Sequence, residues 1–172
     1  MSQPLSEVDT ATAELSVPSA ARAPQIRAGN AMERARSGIL QAAAELIGEH
    51  GVPGITMVGV ARRAGVAKAT VYNHVRDRDE LLTLVLLDQW ATVQRLCNEQ
   101  PREQRLATAA AWASDSIVLA GLRRHSPEVL VAVASAALSD PQVTEVVRGW
   151  IPDQRDPEAA LRWLTSYLLV PR

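Results

Sequence analysis

Within residues 68–74, Lys68, Thr70, Tyr72, Asn73 and His74 place an ammonium, two hydroxyls, an amide and an imidazole at one point in the chain. Such groups donate and accept hydrogen bonds to phosphate oxygens and base edges. Read as a helix over about 67–75, the segment turns Val71 and Val75 to one side and the polar groups to another. Thr56 stands one helix upstream, and Arg62, Arg63, Arg76 and Arg78 flank the run. Nothing comparable points to bond-making chemistry. His50, His74 and His125 lack the paired spacing of a helical metal site, and Cys97 has no local partner that would mark a nucleophile. Gly51, Gly54 and Gly59 lack the Gly-Lys-Ser/Thr ending of a phosphate loop. No catalytic residue, metal ligand or cofactor site is therefore expected, and the chain is not read as an enzyme.

The elements that hold the polar run follow from local signals. Thr56 is a good N-cap for a short helix to about Ala64, and Gly65 supplies the positive φ of a tight turn. Ala61, four residues before Gly65, is small enough to sit where two short helices cross, with Val71 closing the miniature core. That arrangement leaves the second helix free to enter a major groove. The spacing by itself also fits an ordinary helical hairpin on a protein surface. Upstream, Ala35, Ile39, Ala42, Ala43, Leu46 and Ile47 recur at helical spacing from Met32 onward, and Gly51 is expected to end that helix as a left-handed cap.

Net charge is −1 over 172 residues, but it is unevenly spread. Residues 1–30 carry two bases and three acids, 31–78 seven and four, and 79–172 nine and twelve. An anionic partner therefore belongs on the middle segment. Residues 1–30, rich in Ala, Ser, Pro and Gly, read as a disordered arm.

Residues 79–172 read as helical throughout. Asp77 and Glu80 form an acidic variant of the capping box, followed by Leu81, Val85, Val93, Leu96 and Cys97 on a long helix that Pro101 closes. Leu106, Ala110, Ala113, Ile117 and Ala120 form the stripe of the next. Ser126, Asp140 and Asp156 each precede a proline and mark three further starts. The expected fold is all-α with about eight helices: a three-helix helix-turn-helix domain over 31–78, then a C-terminal helical bundle over 79–172. Indole rings commonly line ligand pockets, and Trp90, Trp112, Trp150 and Trp163 all fall on these helices. Leu161, Leu164, Tyr167 and Leu168 form an apolar stripe assigned to a dimer face. The first 24 residues have no signal-peptide pattern, no apolar run approaches a membrane span, and the single cysteine fits a reducing cytoplasm.

The residues Ile39-Leu40, the stretch 51–56, Val60-Ala61 and above all AGVAKATVYNHV over 64–75 resemble the tetracycline-repressor (TetR) family. The likeness is detailed over 33–87 and extends to the rest through helix count alone. It implies that the third helix is the recognition helix and that a homodimer binds a palindromic double-stranded operator. It further implies a C-terminal domain that binds a small-molecule effector, which releases DNA. Family pockets usually form on the fourth and fifth helices, so the resemblance puts Trp90 and Trp112 first among the tryptophans. By position, Lys68 and Thr70 would face bases or nearby phosphates, and Tyr72 and His74 the DNA backbone. Thr56 and Arg78 would hold phosphate from helix ends, with Asn73 a further candidate. Val75 stands where the family usually has an aromatic residue, Arg78 where it has lysine, and many members continue into another helix beyond the position of Arg172. Two other readings fit the residues: an all-α enzyme or small-molecule-binding protein with an incidental hairpin, and a DNA-binding protein without an inducer. Sequence-specific DNA affinity separates the first from a regulator, and a ligand effect on that affinity separates the second.

Overall fold

The computed structural model describes residues 22–151 and 156–170, with side chains from residue 31 onward. In chain order these form α1 (Arg22–His50), a 3-10 turn (Val52–Gly54), α2 (Met57–Ala64), α3 (Lys68–Tyr72) and α4 (Arg78–Asn98). They continue as α5 (Arg102–Asp115), α6 (Ile117–His125), α7 (Pro127–Ser139), α8 (Pro141–Trp150) and α9 (Pro157–Leu169). The fold is all-α, without a strand among the described residues. None of the described helices is long and apolar enough to cross a membrane.

Helix α1 begins at Arg22, earlier than the expected start at Met32, so part of the segment read as a disordered arm is helical. Residues 1–21 lie outside those described. Apolar periodicity detects only the part of a helix that is buried. Once a helix is nucleated, each added residue gains a backbone hydrogen bond and needs no apolar face to propagate. Pro24 stands in the first turn, where its missing N–H costs nothing. On the buried part of α1, Ile39, Ala42, Ala43, Leu46 and Ile47 all face the core. Gly51 follows with φ 67° and ψ −164°, so its φ is positive as expected but its ψ is extended rather than that of the left-handed cap.

The helix expected to run on from Pro101 divides at Ser116, which raises the number of α-helices from about eight to nine among the described residues. Ser116 is extended (φ −63°, ψ 118°), and its hydroxyl accepts from the Leu119 N–H at 3.3 Å to cap α6. The break also redirects the expected stripe: Ala110 and Ala113 are buried, whereas Ile117 and Ala120 are exposed. Asp140 and Asp156 cap α8 and α9 through the N–H groups of Gln142 and Glu158, at 2.8 and 2.9 Å. Ser126 does not cap α7. Its fully buried hydroxyl instead accepts from the Val52 N–H at 3.1 Å, tying the turn after α1 to the α6–α7 junction. Removing a buried acceptor leaves its donor unsatisfied. Ser126→Ala is therefore expected to lower unfolding free energy by about 1–3 kcal/mol in urea titrations, more than an exposed serine would.

Two groups of buried residues form the interior. The first joins Ile39, Ile47, Ile55, Val60 and Val71 to Leu81, Val85, Val118, Leu122 and Leu130, so it runs across residue 78 without interruption. The second gathers Val93, Cys97, Ala109, Val147, Trp150 and Leu161, and Trp112 packs against both. Helices α1 and α6 cross at Gly48 and Gly121. A Cβ on Gly121 would overlap the Ile47 carbonyl oxygen and stand 2.5 Å from the Gly48 Cα. The half-buried Arg123 of α6 donates to the carbonyl oxygens of Tyr167 and Leu168 at 3.1 and 3.4 Å, placing a cation at the C-terminal end of α9.

Candidate nucleic-acid interface

Helix α2 starts at Thr56, whose Oγ1 accepts from the Gly59 N–H at 3.0 Å. It ends at Gly65 in the left-handed region (φ 67°, ψ 29°). Nothing lies within 4 Å of a Cβ built there, so the backbone angle alone calls for glycine. Helix α3 follows after two residues. Its regular part is five residues, shorter than the expected 67–75. Beyond Tyr72 the chain continues as hydrogen-bonded turns, with the His74 and Val75 N–H groups both donating to the Val71 carbonyl at 3.0 Å. A short helix is enough because packing fixes it: Val71 and Val75 are buried against α1 and α2, and Ala61 is buried at the crossing.

Lys68, Ala69, Tyr72 and Asn73 are exposed and make up the outer face of α3, while Thr70 and His74 are half-buried on its flanks. Tyr72 leaves 46% of its surface in water, a large exposure for an aromatic ring. The Lys68 Nζ lies 5.6 Å from the centre of that ring, close enough for a cation–π contact that orders both side chains. Thr56 and Arg78 stand at the starts of α2 and α4 and are exposed. Helix starts present free N–H groups and a favourable dipole for anionic oxygens.

The flanking arginines divide into two kinds. Arg63 is held by α1, donating to Glu49 at 2.7 and 2.9 Å and to Glu45 at 3.2 Å. Arg63 in turn keeps the Glu49 carboxyl below its usual pKa, and Gln41 followed by Arg63 does so for Glu45. Arg63 thus braces α2 on α1 and is removed from the cationic surface expected around α3. Arg76 is likewise engaged with Glu80, whose carboxylate accepts from the Arg76 N–H at 2.6 Å and Nε at 3.2 Å. Those hydrogen bonds, the backbone one first, lower the Glu80 pKa. Asp77 meanwhile accepts from the Glu80 N–H at 2.8 Å, so the capping box closes on the residue before the cap. Arg62, Lys68 and Arg78 form no ion pair among the described residues and remain available to an anionic partner. Ala69 went unnoticed in the sequence. It is central on the outer face of α3, and its small side chain lets the helix backbone come close to a partner.

The C-terminal helices line a partly open cavity of about 140 Å³. Trp90 and Trp112 line it, and Trp150 joins them, 5.8 Å from Trp90 between ring centres. Trp163 lies outside, exposed and edge-on to the half-buried Tyr167 at 4.8 Å. The stripe expected on a dimer face is largely turned inward: Leu161 is buried, and Leu161, Leu164 and Leu168 all line the cavity. Helical spacing shows which residues share a face, whereas the loops on either side decide what covers it. Cys97 is buried, and its thiol donates weakly to the Arg105 carbonyl at 3.4 Å. Burial pushes the thiol from 9.0 up to about 11. Alkylation by iodoacetamide at about pH 8 is therefore expected to run roughly a hundredfold slower in the folded protein than in urea. Equal rates would place the thiol at the surface. With this sign, the stability associated with Cys97 is complete below pH 9 and is lost as the pH rises through about 11.

The sequence profile described as "Bacterial regulatory proteins, tetR family" matches residues 39–85, a stretch that begins in α1 and ends in α4. The HTH-type transcriptional regulator Rv1816 of Mycobacterium tuberculosis is 31% identical over 91 residues, covering 53% of this chain and 38% of that protein. The HTH-type transcriptional regulator BetI of Burkholderia ambifaria is 36% identical over 92 residues, 49% of this chain and 47% of that protein. BetI of Burkholderia cenocepacia is 30% identical over 115 residues, 63% and 57% respectively. The chain thus spans between 38% and 57% of the length of these relatives. The profile match falls on the same capped helix, glycine turn and short outward-facing helix that the geometry picks out, and over these residues the chain is similar to the tetR family of bacterial regulatory proteins.

Proposed function

We propose that the protein is a sequence-specific DNA-binding transcriptional regulator, a repressor that a small-molecule effector releases from a palindromic operator. The observation that carries this reading is the outer face of α3, where Lys68 and Tyr72 project from a unit whose other side is fully packed. Lys68, Thr70 and Asn73 meet base edges or adjacent phosphates. Tyr72 and His74 hold the DNA backbone, and Thr56 and Arg78 grip phosphates from the two helix starts. The protein acts as a homodimer in the bacterial cytoplasm.

The outer side of α7 supports self-association. Between Glu128 and Asp140 it carries no charge, and Val131 and Leu138 are exposed on it. On the neighbouring α9, Trp163 and Leu169 are exposed as well. Effector binding among α4–α9 shifts the population toward dimers whose recognition helices no longer match the roughly 34 to 36 Å between successive major grooves. Selection of bound fragments from genomic DNA tests the reading. Half-sites with two-fold symmetry one helical turn apart are expected. A site without that symmetry contradicts the dimer, and recovery of no sequence preference contradicts the regulator.

A further inference from the structure

The cavity among α4–α9 is specific enough in chemistry to say what kind of molecule it takes. Of its lining side chains only Gln89 and Thr165 are polar apart from the indole N–H groups, and none is charged. Neither offers an opposite charge: Gln89 Oε1 accepts from the Ser116 hydroxyl at 3.4 Å, and the Thr165 hydroxyl donates to the Arg162 carbonyl at 2.9 Å. An ion moved into such a space loses its water and finds no opposite charge to replace it. A neutral apolar molecule loses nothing comparable. The volume sets the scale: dry apolar cavities of about 150 Å³ take up benzene. The indoles of Trp90, Trp112 and Trp150 supply ring faces and edges that favour an aromatic guest over an aliphatic one of the same size.

The cavity adjoins an outer groove between α4, α7 and α8. Trp90, Val133, Ala137 and Val143 line both the cavity and this groove of about 510 Å³. On the groove side, Gln94, Asp140 and Gln142 stand at the rim. The Asp140 carboxylate places a negative charge at that rim, so an anion approaching from this side is disfavoured.

We infer that the ligand of this cavity is a compact, uncharged, apolar aromatic molecule of about one ring. This rests on the effector-site reading above and narrows it to a chemical class. Toluene, benzoate and benzylammonium, three probes of nearly equal shape, test it by calorimetric titration of the full chain. Toluene is expected to bind once per chain, with the two ions roughly a hundredfold weaker or undetectable. Ala137→Phe fills the space and should abolish toluene binding. Leu164→Ala enlarges it and should admit naphthalene, which keeps the site testable if the filled variant does not fold. The inference is overturned if either ion binds as tightly as toluene, if toluene does not bind, or if folded Ala137→Phe still takes it up. Gel shifts with and without each probe distinguish its failure from that of the effector reading. Toluene that binds without weakening DNA affinity leaves the ligand class standing and removes the effector. An ion that releases DNA does the reverse.

Discussion

Lys68→Ala and Tyr72→Ala are each expected to abolish operator binding in gel shifts, with helicity by circular dichroism unchanged. Both side chains are exposed and neither belongs to the buried groups that hold α3, so their removal leaves no cavity. A positioned side chain at a base edge contributes about 1–3 kcal/mol, up to roughly a 150-fold change in affinity. The cation–π contact across 5.6 Å makes the two interdependent, so losing either also frees the other. Salt separates their roles. If Lys68 neutralises a phosphate, Lys68→Ala reduces the salt dependence of binding by about one counterion, whereas Tyr72→Ala leaves that slope intact. Unchanged affinity in both variants sinks the assignment of α3 as the reading helix.

Gly121→Ala should be the most damaging single methyl group in the protein. In an isolated helix the change from glycine to alanine stabilises by up to about 1 kcal/mol. Here the new Cβ meets backbone rather than side chain: the Ile47 carbonyl, the Gly48 Cα at 2.5 Å and the Gly48 carbonyl at 2.8 Å. No rotamer can move aside, so α6 must lift from α1 and open the packing around Ile47, Val118 and Leu122, which are almost completely buried. Overpacking of that kind costs about 3 kcal/mol or more and outweighs the helical gain. In a chain of this size the melting temperature should fall by roughly 10 °C. A variant as stable as the parent would mean that the two helices are not pressed together at this crossing.

The parts of the fold that were readable from sequence are those built from contacts a few residues long. Thr56 with Gly59, Asp140 with Gln142 and Asp156 with Glu158 are hydrogen bonds two or three residues apart, and Gly65 answers to its own backbone angle. Ser126 looked like another of these, yet its hydroxyl serves Val52, 74 residues away, a choice only the folded chain can make. The cationic surface was overcounted for a related reason, because Glu45 and Glu49 reach Arg63 from α1 at separations of 18 and 14 residues. Leu161 and Leu164 were correctly grouped on one face, but whether that face meets a second chain or its own interior depends on how α9 docks. In the candidate interface, type and position were legible, while exposure was not. Asn73 proves exposed on the outer face, and Thr70 and His74 are partly covered.

The continuity of the first buried group across residue 78 bears on how freely this reading head can be transplanted. Helix α1 packs along α6, and its Ile39 and Ile47 share one buried group with Val118, Leu119 and Leu122 of α6 and Leu130 of α7. A fragment ending at Arg78 would carry these isoleucines bare into water and would aggregate or unravel. The helix-turn-helix of this protein is therefore not a portable cassette: a chimera that borrows its specificity must bring α6 and the start of α7 along, or rebuild the packing they provide.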